Sequence, residues 1–284
     1  MSDAFETRAA ALREAVSRLA VAGALDPARE ARLLMRWATG LDAAALSTRL
    51  DQTMADAEAA RFRAGVIRRT ARAPLSHITG RRAFWGRDFI VTPDVLDPRP
   101  ETEILVGWAL EGRPPRRILD LGVGSGCILL TLLAEWPDST GLGVDASAAA
   151  LSVTQRNAAA LGVAERMTLL RADWLEAIEE RFDLIVANPP YLTTDAMQAL
   201  SPEVRAEPPQ ALAAGADGLD AYRRILPGLA MALNPGGAAL LEIGPGQAPA
   251  LERLAAASDL SLAATREDLD GRVRVLRFSP ESAT

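Results

Sequence analysis

From residue 116 to the C-terminus, short apolar runs alternate with helical stretches, and this alternation limits the fold more than any other feature of the chain. The apolar runs predict strands at 117–121, 141–144, 167–170, 184–187, 238–243, 260–264 and 273–278. Helical spacing separates most of them. Strands that alternate with helices build a mostly parallel sheet covered by helices on both faces, so the expected fold class is α/β with a seven-stranded sheet. No internal repeat interrupts the pattern.

The chain ahead of this region has a different period. Ser2 or Asp3 can cap a first helix, with Glu6 completing a capping box. Ala9, Leu12, Val16 and Leu19 then follow helical spacing up to Gly23. Asp26 before Pro27 reads as a second N-cap with proline at the first helical position, and Gly40 as the stop. Further helical stretches at 43–50 and 53–72 end at Pro74. Residues 1–75 are thus expected to form a small helical bundle. In "RRAFWGRDFIVTP" (81–93), aromatic residues flank Gly86 and Arg87, which predicts a hairpin. Three prolines follow, and residues 76–100 are read as a linker. The remaining domain is 101–284.

Composition removes several function classes. Lys plus Arg is 31 against 37 Asp plus Glu, a formal net charge of −6. Polyanion-binding proteins usually carry the opposite balance, so direct nucleic-acid binding is not expected. One cysteine, Cys127, and one histidine, His77, leave no disulfide, no His-based triad and no cluster for a metal. No apolar run is long enough for a membrane span, and the N-terminus lacks the pattern of a signal peptide. The expected setting is cytoplasmic.

"ILDLGVGSGCILLTLL" (118–133) reads as strand, glycine turn and helix. Gly122, Gly124 and Gly126 let the backbone turn tightly and approach a ligand. Asp145 follows about 20 residues later at the end of the next strand, where nucleotide-type folds hydrogen-bond ribose hydroxyls. The dinucleotide fingerprint would need its third glycine at position 127, which is Cys127, and no Lys-Ser/Thr pair makes a P-loop. The observed D-x-G-x-G-x-G resembles the first motif of Rossmann-like S-adenosylmethionine methyltransferases. That resemblance implies cofactor contacts from Gly122, Val123, Gly124, Ser125, Gly126 and Asp145. It also places Asp173 and Trp174, after the third strand, beside the adenine.

"DLIVANPPYL" (183–192) ends a buried strand in Asn188, Pro189, Pro190 and Tyr191. Two prolines cannot continue a central strand. They suit a different task. A planar NH2 has a delocalised lone pair, and two acceptors that take both its N–H groups free that pair for attack. The Asn188 side-chain oxygen and the Pro189 carbonyl are such acceptors. Tyr191 can stack on a flat amide or base. The catalytic expectation therefore falls on Asn188, Pro189 and Tyr191.

The tetrad resembles the [DNS]-P-P-[YFW] motif of amino-methyltransferases, which act on adenine or on glutamine. "PLSHITG", "FWGRDFIVTPDVLDPRPETE", "LDLGVGSG", "NPPY", "EPPQALAAGADGLDAYRRI" and "GGAALLEIGPGQ", in this order, resemble the bacterial release-factor glutamine methyltransferases, the HemK/PrmC family. This implies an N-terminal helical bundle that docks the partner, a hairpin linker and a Rossmann-like catalytic domain. It implies S-adenosylmethionine as methyl donor, with Trp174 and Asn188 among its contacts, S-adenosylhomocysteine as product, no metal, and a glutamine site formed by Asn188, Pro189, Pro190 and Tyr191. The implied substrate is the glutamine of the Gly-Gly-Gln loop of class one peptide chain release factors. Arg99, Glu101 and Glu103 match the family's linker motif. His77 and Asp97 depart from it, standing where an aromatic and an apolar residue are usual. The alternatives are a glutamine methyltransferase of a ribosomal protein and an adenine-N6 methyltransferase of DNA.

Overall fold

The computed structural model describes residues 7–281, so the cap expected at Ser2 or Asp3, with Glu6, lies outside the described residues. The chain divides into two compact units. One runs to Arg81 and takes in Ser201–Ala206; the other holds Arg82–Leu200 and the chain from Glu207 on.

The first unit is helical. α1 (Arg8–Val21) is capped by Thr7, whose hydroxyl accepts the Ala10 N–H at 3.2 Å. α2 (Pro27–Thr39) starts as its sequence predicts, with the Asp26 carboxylate accepting the Arg29 N–H at 3.0 Å, and stops at Gly40 in the left-handed region. α3 (Ala43–Thr48) and α4 (Asp56–Thr70) follow. Pro74 does not close the region: it leads into one more turn, α5 (Leu75–Thr79), which carries His77. Leu19, Leu34, Met35 and Phe62 fill the core of this unit without exposed surface.

β1 (Arg81–Phe84) and β2 (Arg87–Ile90) form the expected hairpin around Trp85 and Gly86. α6 (Thr102–Leu110) precedes the main sheet. The sheet elements come in the order β3 (Arg117–Leu121), α7 (Cys127–Glu135), β4 (Thr140–Asp145), α8 (Ala148–Leu161), β5 (Met167–Arg171) and β6 (Phe182–Ala187). Two short helices, α9 (Thr194–Gln198) and α10 (Pro202–Arg205), then precede α11 (Asp220–Ala232), β7 (Leu233–Glu242), α12 (Ala248–Ala256), β8 (Leu260–Glu267) and β9 (Val273–Pro280).

All seven expected strands form one sheet in the order β5-β4-β3-β6-β7-β9-β8. The first five pair in parallel, and β9 pairs antiparallel with both β7 and β8. Side chains alternate across it. Leu119, Leu121, Ile185 and Leu241 pack with Tyr222, Ile225 and Leu229 of α11. Ile118, Leu184, Val186 and Leu240 pack on the other face with Leu105 of α6, Leu129 of α7 and the hairpin phenylalanines Phe84 and Phe89. Both faces being covered explains why the strands read as unbroken apolar runs. The chain order reverses between β3 and β6, and the carboxyl ends of strands at such a switch point open the crevice in which α/β sheets hold ligands.

Candidate active site

Within the second unit a cleft of about 410 Å³ opens at that edge. Gly122–Ser125, Asp145, Asp173, Trp174, Asn188 and Pro190 line it, together with Asp97, Arg99 and Thr102. Pro189 and Tyr191 are not among the lining residues. Pro189 is buried, and a Cβ placed on Gly244 would meet the Tyr191 ring at 3.0 Å.

The glycine loop is shaped by its own hydrogen bonds. The Gly122 and Val123 amides donate to the Val144 carbonyl at 2.8 and 2.9 Å, and the Gly126 amide donates to the Val123 carbonyl at 2.7 Å. Thr154 and Asn157 of α8 donate to the Gly124 and Ser125 carbonyls, both at 2.8 Å. A side chain at Gly126 would be strained, since the residue has φ 81° and its Cβ would lie 2.7 Å from Leu130 and 2.8 Å from Thr154, forcing either to shift. Below the loop, the buried Asp120 carboxylate accepts the Leu129 N–H of α7 at 3.2 Å; burial pushes its pKa up to about 7.

Asp145 ties the second strand end to this loop. One of its oxygens accepts the Gly124 N–H at 3.0 Å, the other the Ser147 N–H at 2.8 Å. Burial raises its pKa, and these two bonds oppose the rise. A carboxylate so held keeps lone pairs for two ribose hydroxyls. Trp174 sits at φ 55°, a left-handed conformation that costs a non-glycine residue roughly 1–3 kcal/mol and recurs at ligand clamps. A Cβ on Gly122 would approach its indole to 3.3 Å, so the ring lies against the bare loop. Asp173 is ion-paired with Arg224. A glycine cradle, an apolar ring over it and an anchored carboxylate at one end suit an adenosyl cofactor.

The register between β6 and β7 places the tetrad. Ala187 pairs with Leu241, so Asn188 and Glu242 are neighbours at the carboxyl edge. The Asn188 Nδ2 donates to the Thr102 hydroxyl at 3.0 Å. Thr102 in turn hydrogen-bonds Glu242, whose carboxyl is buried and pushed up to about 7 by that burial. Gln247 fixes the end of the tetrad: its Nε2 donates to the Tyr191 carbonyl at 3.2 Å and the Gly218 carbonyl at 3.0 Å. Burial raises the Tyr191 phenol to about 12, which keeps it neutral.

The linker motif is at the cleft rim. Arg99 Nη2 reaches both oxygens of the buried Glu207, at 2.8 and 2.7 Å. Glu103 accepts the Trp85 N–H at 2.7 Å, which joins the hairpin to α6. The departing residue Asp97 is buried and faces Arg82 at 3.7 Å, so a charge in place of an apolar group is matched by an arginine. Thr102, Glu207 and Glu242 are the site-adjacent residues that sequence reasoning missed. Glu242 carries a readable signal: it is a lone acid ending the apolar run "GGAALLE", at the same sheet edge as Asp145. Among the described residues no group of three or more His, Cys, Asp or Glu side chains is arranged to hold a metal ion.

Comparison with known proteins agrees with this organisation. Residues 10–80 match the family model described as "PrmC N-terminal domain", and residues 97–217 match "Methyltransferase small domain". A release factor glutamine methyltransferase of Cereibacter sphaeroides is 51% identical over 267 residues, 94% of this chain and 96% of that protein. One from Moorella thermoacetica is 46% identical over 251 residues, covering 87% and 89%. Among solved structures, a methyltransferase from Pyrococcus furiosus shares the fold with a TM-score of 0.53, at 15% identity over 76% of this chain and 96% of its own.

Proposed function

The chain belongs to the family of release factor glutamine methyltransferases, and from that membership we propose its reaction: transfer of a methyl group to the side-chain amide nitrogen (N5) of the glutamine in the Gly-Gly-Gln loop of class one release factors. It is an S-adenosylmethionine-dependent methyltransferase by its relatives and its catalytic fold. The observation that carries the assignment of roles is the position of Asn188. It borders the cleft beside the glycine loop, with its amide held by Thr102.

When bound, S-adenosylmethionine supplies an electrophilic methyl on a sulfonium. Gly122, Val123, Gly124, Ser125 and Gly126 would cradle its methionine end, Asp145 would accept from the ribose hydroxyls, and Trp174 would cover the adenine. Asn188 Oδ1 and the Pro189 carbonyl each accept one N–H of the glutamine amide. Pro190 completes the wall of that site, and Tyr191, whose ring lies against Gly244, anchors the end of the tetrad through Gln247. The donor would supply the methyl and keep the electron pair on its sulfur as a neutral thioether, and the glutamine amide nitrogen that takes the methyl would release one proton to water. Positioning is the main work here, and in intramolecular models it is worth roughly 7–11 kcal/mol. No strongly basic residue is required before transfer.

The N-terminal helical bundle docks the release factor while its loop enters the cleft, and the reaction takes place in the cytoplasm. No described helix is long and apolar enough to cross a membrane. The relatives are named for release factors, which favours that substrate over a ribosomal protein or DNA adenine. The test is incubation with methyl-labelled S-adenosylmethionine and a release factor, the same factor with its loop glutamine changed to alanine, or DNA. Label on the first alone is expected, mapped to the glutamine by mass spectrometry. Label on DNA, or equal label on both factors, would overturn the assignment.

A further inference from the structure

We propose that Thr102 and Glu242 set the direction of a buried hydrogen-bond chain that holds the Asn188 side chain with its oxygen, and not its nitrogen, toward the acceptor amide. This rests on the role given to Asn188 above.

Three elements bring the chain together. Thr102 is the first residue of α6, Asn188 follows β6, and Glu242 ends β7. Thr102 is 2% exposed and Glu242 1%, so water does not compete for their bonds. A hydroxyl has one proton. While Glu242 is a carboxylate it can only accept, and the Thr102 proton must go to it. The Thr102 oxygen is then an acceptor, and the only donor on the Asn188 side chain is Nδ2, found 3.0 Å away. The other end of the amide, Oδ1, is left for the cleft. Without this constraint the two ends of the Asn188 amide are almost the same shape. The flipped form would set an NH2 against the NH2 of the substrate, two donors facing each other.

The placement of Glu242 has no other evident use. Its Oε2 has no hydrogen-bond partner among the described residues. The Tyr222 hydroxyl donates to its backbone carbonyl, not to the carboxylate. Arg274, the nearest arginine on β9, is ion-paired with Asp268. A buried carboxylate with so few partners is costly.

Protonation would reverse the chain. A neutral Glu242 can donate to Thr102, whose proton is then free to turn toward Asn188 and stabilise the flipped amide. Burial and Glu101 favour that neutral form, while the Thr102 hydrogen bond, Arg274 and Arg99 oppose it. The phenols of Tyr191 and Tyr222 and the thiol of Cys127 also face the charge, and all three are themselves raised. Turnover should therefore fall as pH drops below about 7.

The test compares Thr102→Val, Thr102→Ser and Glu242→Gln in the full chain, with a release factor and S-adenosylmethionine at saturation across pH 6–9. Affinity for S-adenosylhomocysteine is measured in parallel. Thr102→Val should lower kcat roughly 10- to 100-fold, the scale of a mispositioned group, with cofactor affinity and release-factor KM nearly unchanged. Thr102→Ser, which restores the hydroxyl, should recover most of the loss. Glu242→Gln cannot titrate and should lose the acid limb of the kcat profile. Wild-type kcat in Thr102→Val, no recovery in Thr102→Ser, or a wild-type acid limb in Glu242→Gln would each overturn the proposal. An inactive Asn188→Ala beside a fully active Thr102→Val would sink this inference alone; an active Asn188→Ala would sink the reading beneath it.

Discussion

The Asp145 carboxylate accepts the Gly124 amide at 3.0 Å, so the end of β4 is tied to the glycine loop after β3. Asp145→Ala removes both the loop anchor and the acceptor for the ribose. A hydrogen bond to a charged group is worth about 1.5–3 kcal/mol, so affinity for S-adenosylhomocysteine should fall roughly 10- to 100-fold. Isothermal titration calorimetry measures this. Unchanged affinity would mean that the ribose lies elsewhere.

Gly122→Ala tests the cradle from the other side. Gly122 has φ 75°, a region that alanine avoids, and its Cβ would press on Trp174 at 3.3 Å. The variant should melt lower and gain less stabilisation than wild type from saturating S-adenosylhomocysteine, read as the shift in Tm. An equal ligand-induced shift in both proteins would contradict the proposed contact.

Stability should depend on pH with a definite sign. Asp120 and Glu242 have ordinary values of 3.8 and 4.5, and burial pushes both up to about 7 in the fold. Between these values the native state binds more protons than the unfolded chain, so stability is lost as pH rises through about 7. Asp145 and Glu207 are shifted in the same direction. Thermal unfolding at pH 8 should therefore give a lower Tm than at pH 5.5, and Asp120→Asn, which keeps an acceptor for Leu129, should narrow the difference. A Tm that does not fall over this interval would refute the burial argument.

Within the helical unit, Glu203 bridges Arg69 at 2.8 Å and Arg72 at 2.6 Å. Arg69 is 8% exposed and keeps Glu30 at 2.7 Å when Glu203 is removed. Glu203→Ala should thus cost a modest amount, about 1–2 kcal/mol, in urea unfolding. The two arginines hold the Glu203 carboxyl down at about 2, so its contribution is present above its ordinary value of 4.5 and is lost as pH falls toward 2. A change below about 0.3 kcal/mol would place the pair with ordinary surface ion pairs.

Much of the fold is visible in residue pattern alone. The seven strands are apolar runs because helices cover both faces of the sheet, and Asp26-Pro27 and Gly40 bracket α2 through local chemistry that needs no partner. The start of β7 is not visible, because "LNPGG" carries turn residues: only Leu233 pairs with β6, at Phe182, before the register shifts and regular pairing resumes at Ala238 opposite Leu184. Pro74 reads as a terminator, yet the short α5 follows it and ends at Gly80. At the site, Asn188 and Asp145 are legible because each closes an apolar strand. Thr102 is hidden, since a threonine at a helix start reads as ordinary capping chemistry. Arg99 and Glu207 lie 108 positions apart in sequence, so their pairing is a product of the tertiary fold.

The role of Asn188 is tested most directly by single-turnover methyl transfer to a release factor in wild type and Asn188→Ala, with S-adenosylhomocysteine affinity measured on the same samples. Removing one of two acceptors on the glutamine amide should slow transfer roughly 100-fold or more while leaving cofactor affinity within about tenfold. A variant that binds the cofactor and transfers methyl at the wild-type rate would contradict the account.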